Sequence, residues 1–395
     1  MHLTIRFYIL DFKEGGKEVK EKSVTIVFCA LFFGMFLFSL FPKQKEFSES
    51  ENRYLQQKPE FSFEKVLDGS FEADYEDYIK DQFPARDGWV GLKNKFEFFL
   101  GKQEMNGVYV GKEEYFIENH PAKNYESELA KENMIALSNT VSQYEKTLGE
   151  GHVKVMLVPN AVTILKDKLP EYAMPYNQME YMEEVKEALK AEDVWVPLYD
   201  TLMQHKEDGI YYHTDHHWTT LGAYYGYEQW CKESGITPIP LSDMEQTLLT
   251  KDFLGTISSK INFSMKADEM YRFEPKGADY TAAYMNRKEE NTLYDEEALT
   301  VKDKYAYFLK GNNGIVTITN HNMEEGETLL VVKDSYANCF LPMIAAHYKT
   351  VYVVDLRYYA NLLSESAAEW DIDDLLILYN VNSFATDTYV QRMQY

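Results

Sequence analysis

The sequence predicts an α/β fold: a parallel β-sheet flanked by helices, preceded by one transmembrane helix and interrupted by an inserted β/loop region. Three observations lead there. From Val153 onward, short apolar runs rich in β-branched residues alternate with helical patterns, the signature of a parallel sheet covered on both faces. An uncharged apolar run extends from Ser23 to Phe41. Ile261 to His321 is polar and alternates only locally, near Met270 to Phe273 and Val316 to Ile318, which reads as hairpins and loops.

The run SVTIVFCALFFGMFLFSLF is long enough to cross the hydrocarbon of a bilayer as a helix. Lys17, Lys20 and Lys22 precede it, with Arg6 and Lys13 further upstream, so residues 1–22 are expected in the cytoplasm and everything after Phe41 outside. A cleaved signal peptide is the competing reading. The run exceeds a usual signal-peptide core and Pro42-Lys43-Gln44-Lys45 lacks a small-x-small pattern, which favours a retained anchor. Residues 42–60 then form an extended stalk and 61–395 the extracytoplasmic domain.

The formal net charge of -24 argues against nucleic acid as a partner, because phosphate binding needs a basic footprint and none is visible. Of three cysteines, Cys29 lies in the proposed span, so Cys231 and Cys339 alone define no disulfide framework.

Amphipathic helices are expected from Gly69 to Lys80 and from Trp89 to Leu100, separated where Pro84 blocks continuity. A hairpin from Val108 to Glu118 turns near Gly111 and leads into a helix from about Tyr125 to Leu148. Five strands are expected: Val153 to Val158, Val194 to Leu198, Thr328 to Val332, Thr350 to Val354 and Leu375 to Tyr379.

The segment from Tyr211 to Gly222 carries the first chemistry. Asp215, His216 and His217 stand together on a loop entering a helix from about Thr219 to Cys231, with Thr219 or Thr220 as N-cap. In an extended loop, residues two apart share a side. Asp215 can therefore orient one ring nitrogen of His217 while the other faces a substrate, the orienter-and-base pair of an activated nucleophile. His216 points away and reads as a packed or surface histidine. A rival reading takes His213, Asp215 and His217 as ligands of zinc or iron. No matching cysteine or His-x-x-x-His partner stands elsewhere in the chain.

The second chemistry lies at Leu329 to Asn338, where an apolar strand ends in Asp334-Ser335 and a helical pattern starts. A serine there sits at the carboxyl edge of a parallel sheet, beside backbone N–H groups able to hold an oxyanion. The plainer alternative makes Ser335 the N-cap of the following helix.

Together these residues resemble the DHHW family, whose motif stands here as Asp215-His216-His217-Trp218, and more broadly the SGNH-hydrolase-like alginate O-acetyltransferases. Ser50-Glu51-Asn52-Arg53-Tyr54-Leu55 ahead of Pro59, Asp81 to Asp87, and Asn106 to Gly111 also look like recurring segments of the family. In that group the Asp-x-His pair precedes the serine, as here. The resemblance implies Ser335 as nucleophile, His217 as general base and then acid, and Asp215 as orienter, with no cofactor and no metal. It places Arg357 and Tyr379 where the alginate enzymes carry further active-site groups, and it offers Asn380 or Asn382 as an oxyanion-hole amide. Lys333 stands where ordinary SGNH enzymes have glycine, and a lysine there is expected to crowd the turn.

The implied function is O-acetyl transfer to or from an extracellular polysaccharide or wall glycan of a bacterial envelope, with a membrane O-acyltransferase as donor-delivering partner. Tyr211, Tyr212, Tyr224, Tyr225, Tyr358 and Tyr359 are available as sugar platforms. A secreted carbohydrate esterase with the same triad, and a non-catalytic glycan-binding scaffold, are the alternatives.

Overall fold

A computed structural model describes residues 23–30, 32–34, 44–48, 53–191, 193–285 and 289–395. The basic arm, 1–22, and residues 31 and 35–41 of the apolar run lie outside the described residues; 23–30 and 32–34 are helical. Among the described residues no helix is long and apolar enough to cross a membrane. The chain divides into two compact units, Met1–Val90 and Gly91–Tyr395.

In the first unit, the expected amphipathic helix is Ser70–Asp81. Residues of the expected extended stalk are hydrogen-bonded to the end of this helix. Gln82 accepts from Lys45 N–H at 2.9 Å and donates to the Lys45 carbonyl at 2.9 Å, while Asp81 accepts from Gln56 N–H at 2.8 Å.

The second unit is built on a six-stranded sheet. Its strands are β1 (Val153–Val158), β2 (Tyr280–Tyr284), β3 (Ile315–Asn320), β4 (Thr328–Lys333), β5 (Thr350–Val354) and β6 (Asp374–Asn380), in spatial order β1-β6-β4-β5-β3-β2. The first four in that order run parallel, with Val331 of β4 opposite Leu376 of β6 and Val353 of β5. Successive residues of these strands serve two cores. Leu329 and Val331 join one apolar cluster with Met156, Val353, Leu376 and Leu378, while Leu330 and Val332 join another with Val155, Ile377 and Tyr379. That two-sided burial is why the strands read as unbroken apolar runs. The helices Glu128–Leu148 and Gln178–Leu189 cover the second face, and Thr220–Glu233 covers the first.

Two expectations are corrected. Val194 to Leu198 is not a strand of the sheet: it makes one bridge, between Val155 and Trp195, and at Leu198, where the next ladder bond would form, the chain already turns into the helix Tyr199–Gln204. The inserted region is not separate from the sheet either. β2 and β3 extend it as antiparallel strands, and their alternating burial places Ala282, Tyr284, Val316 and Ile318 in the first core. A further hairpin, Met244–Phe253 with Asp268–Pro275, stands beside it.

Candidate active site

Ser335 stands two residues past the end of β4, the strand that lies between β5 and β6. Asp334 is extended and caps the turn Ser335–Cys339, one carboxylate oxygen accepting from Tyr336 N–H at 2.9 Å. Its other oxygen accepts from Asn380 N–H at 2.9 Å and the Asn380 side-chain amide at 2.7 Å, joining the carboxyl ends of β4 and β6. The cap is therefore Asp334, and the Ser335 hydroxyl is left for another partner. That partner is His217, whose Nε2 lies 2.8 Å from Ser335 Oγ. His217 Nδ1 lies 2.5 Å from Asp215 Oδ1, which also accepts from His217 N–H at 3.0 Å.

The loop holding Asp215 and His217 is fixed at both ends. Tyr211 bridges Trp218, and Thr219 caps the helix Thr220–Glu233 by accepting from Gly222 N–H. The buried Trp218 indole donates to the Tyr336 carbonyl at 2.9 Å, which binds this loop to the serine turn. Asp268 then holds the loop's start: its carboxylate accepts from the N–H and Nδ1 of His213 and from the N–H and hydroxyl of Thr214. Replacing Asp268 by alanine removes the acceptor of the buried Thr214 N–H and of both His213 donors, and leaves the Thr214 hydroxyl only the Phe253 carbonyl at 3.3 Å. It is expected to cost roughly 3 kcal/mol of stability in urea unfolding.

Burial works against the charge on Asp215. The imidazoles of His217 and His216 and the hydrogen bonds from His217 and Thr256 outweigh it and hold the carboxyl well below its usual range. Burial, helped by His216, pushes the His217 imidazole below its usual 6.5, against the pull of Asp215. A carboxylate beside a neutral imidazole is the pairing a general base needs at neutral pH. The base is lost only as pH falls through the lowered value. The rate of covalent modification of Ser335 is therefore expected to stay level down to pH 6.5 and to decline only below it; a decline centred above the ordinary value contradicts the assignment.

None of the other candidates hydrogen-bonds to the Ser335 hydroxyl, whose partner is His217. Tyr379 is buried on the opposite face of the sheet from Trp218, its ring against Phe384. Arg357 pairs with Asp355 through two hydrogen bonds, at 2.8 and 2.6 Å. The Asn380 amide nitrogen is spent on Asp334 and Ser383, and the Asn382 side-chain oxygen accepts from Asn124 and Tyr125. Lys333 does not crowd the turn. Its ammonium lies buried, 2.9 Å from Asn338 Oδ1 and 3.3 Å from Asp355. Within the serine turn, Tyr336 N–H goes to the Asp334 side chain and Ala337 N–H to the Asp334 carbonyl, which leaves the Ser335 N–H as the donor nearest an oxyanion. Of the six tyrosines, Tyr211, Tyr212, Tyr224 and Tyr359 are buried in the cores.

The ligand set His213, Asp215 and His217 is dispersed, because His213 faces Asp268 and stacks on Tyr115 at 3.9 Å. Asp215, His216 and His217 do offer ligand atoms within 4.8 Å of one another. Both nitrogens of His217 and Nδ1 of His216 already have hydrogen-bond partners, so a metal there must break the serine relay.

Four residues at the site escaped the sequence reading. Thr256 and Gly255 contact Asp215, Asp268 holds the loop, and Tyr305 stacks on the His217 ring with centroids 3.7 Å apart. Gly255 before Thr256-Ile257, where a short helix begins, was the only visible signal among them.

The fold and site define an α/β protein with a hydrogen-bonded Ser–His–Asp relay at the carboxyl edge of a parallel sheet. The family model for the DHHW protein matches residues 107–354, more than half of the chain, and the chain belongs to that family. A DHHW family protein from Eubacterium siraeum has a similar structure, at 21% identity and a TM-score of 0.59 over 73% of this chain and 95% of that one. Bacillus cereus PatB1, solved with a sulfonyl adduct, is similar at 21% identity and a TM-score of 0.59 over 72% of this chain and 99% of that one. The O-acetyltransferase domain of Pseudomonas putida AlgJ aligns at 11% identity and a TM-score of 0.45 over 73% of this chain and 98% of that one. A search among curated proteins found no match.

Proposed function

We propose that this protein is a bacterial envelope O-acyltransferase that moves an acetyl group to an extracellular polysaccharide or wall glycan through an acyl-serine. The observation that carries the reading is the 2.8 Å contact between His217 Nε2 and Ser335 Oγ, in a relay ending at Asp215. Ser335 Oγ attacks the donor's carbonyl carbon as its proton passes to His217 Nε2. The Ser335 N–H stabilises the oxyanion. The bond from carbonyl carbon to donor oxygen breaks, and the proton on His217 goes to that oxygen. A sugar hydroxyl then attacks the acyl-serine, gives its proton to His217, and Ser335 Oγ leaves with that proton.

The uncharged run from Ser23 to Phe41 supports an anchor that keeps the main domain outside the membrane, within reach of a membrane O-acyltransferase that supplies the donor. That sulfonyl chemistry has been captured in PatB1 supports looking for a reactive hydroxyl here.

The test is to incubate the full chain in detergent with a chromogenic acetyl ester and an oligosaccharide acceptor. Acetylated oligosaccharide, formed in preference to free acetate, is the expected product. Free acetate alone, at a rate the acceptor does not change, replaces the reading with an esterase. No turnover and an unreactive Ser335 leave a glycan-binding scaffold.

A further inference from the structure

The alternation of an extended loop predicts that His216 points away from Asp215 and His217, but the chain bends through His213–His217 and the His216 ring lies 3.9 Å from that of His217, reaching the same carboxylate by another route. Its Nδ1 lies 2.7 Å from Thr256 Oγ1, and that hydroxyl lies 3.0 Å from Asp215 Oδ2, which also accepts Thr256 N–H at 2.8 Å. A hydroxyl has one proton to give, and an ionised carboxylate can only accept. The Thr256 proton therefore goes to Asp215, and the Thr256 oxygen accepts from His216 Nδ1–H. Each oxygen of Asp215 thus faces an imidazole, Oδ1 directly through His217 and Oδ2 through Thr256.

We propose that His216 is a positioning residue that, through Thr256, holds Asp215 with Oδ1 turned to His217 Nδ1. The proposal rests on the reading of Ser335 as nucleophile. A merely structural His216 acts by stacking, since its ring lies 3.9 Å from that of His217 and 6.2 Å from that of Tyr336. Stacking survives replacement by phenylalanine. Donation from Nδ1 does not, but asparagine restores a donor at nearly the same place. His216 and Thr256 are both only half-buried, so both variants keep the loop's anchors at Asp268 and Trp218.

The experiment measures the rate of Ser335 modification by an aryl sulfonyl fluoride, together with kcat and KM for an acetyl ester, in the full chain. His216→Phe is expected to lower the modification rate and kcat about tenfold, the upper size of one hydrogen bond between neutral groups, with KM unchanged. His216→Asn recovers most of the loss. Thr256→Ser behaves as the native protein, Thr256→Val loses at least as much as His216→Phe, and the double variant His216→Phe/Thr256→Val is no slower than Thr256→Val alone. A His216→Phe protein at the native rate, or losses that multiply in the double variant, overturns the proposal and leaves the nucleophile standing. A native protein unreactive at Ser335 overturns both.

Discussion

Ser335→Ala is expected to give a folded protein that takes up no sulfonyl label and turns over acetyl esters at least about 10⁴-fold more slowly than the native chain. The size of the effect follows from what the hydroxyl does and does not touch. Oγ contacts His217 Nε2, and the turn that carries it is capped by Asp334, so removing the oxygen deletes the nucleophile without loosening the backbone. Stability should therefore stay within about 0.5 kcal/mol, as for substitutions away from structural features. Intact-mass measurement after exposure to the sulfonyl reagent, beside a thermal melt, checks both halves. A labelled Ser335→Ala protein places the reactive group elsewhere, and unchanged turnover removes the acyl-serine from the pathway.

The parallel strands were legible because burial on both faces writes itself into sequence as unbroken apolar runs, and the Asp215–His217 pair because three charged or titratable side chains on one short loop have few other uses. What was hidden follows from the same physics. β2 and β3 are half-buried, so their period-two pattern looks like an isolated hairpin, and nothing local says that Val316 and Ile318 close the edge of a distant sheet. Tyr379 could be placed at a strand end from sequence, but its face could not. In the fold, Leu376 and Leu378 take the face shared with Trp218, so Tyr379 must take the other. Arg357 was legible as a charge near the carboxyl edge of the sheet. Its pairing depends on Asp355 two residues earlier, whose carboxylate also meets the buried Lys333.

The groups that hold Asp215 were the hardest to foresee, because Thr256 and Asp268 come from a polar stretch where neither residue type is distinctive. Their consequence is an unusual dependence on a glycine. Gly255 has a φ of -82°, so no left-handed conformation demands it. What demands it is space: a Cβ at this position would lie 2.2 Å from Asp215 Cβ and 2.3 Å from Asp215 Oδ2, far inside contact distance. The backbone here cannot easily retreat. Gly255 N–H donates to Thr214 Oγ1 at 3.1 Å, and its carbonyl accepts from the hydroxyls of Ser258 and Ser259.

Gly255→Ala must therefore push the carboxylate itself, turning Oδ1 away from His217 Nδ1 and losing the orientation of the imidazole. The expected result is a fall in kcat of about 10² to 10⁴, since small misplacements at a reacting centre already cost a hundredfold and a misdirected histidine costs more. Overpacking is expected to add a stability loss of about 1–3 kcal/mol. The two effects separate by measurement: protein assayed well below its melting temperature shows the kinetic loss alone, with KM expected near the native value because Gly255 packs against the Asp215 side chain. Native kcat in a folded Gly255→Ala protein would mean that the direction of the Asp215 carboxylate does not govern the reactivity of Ser335.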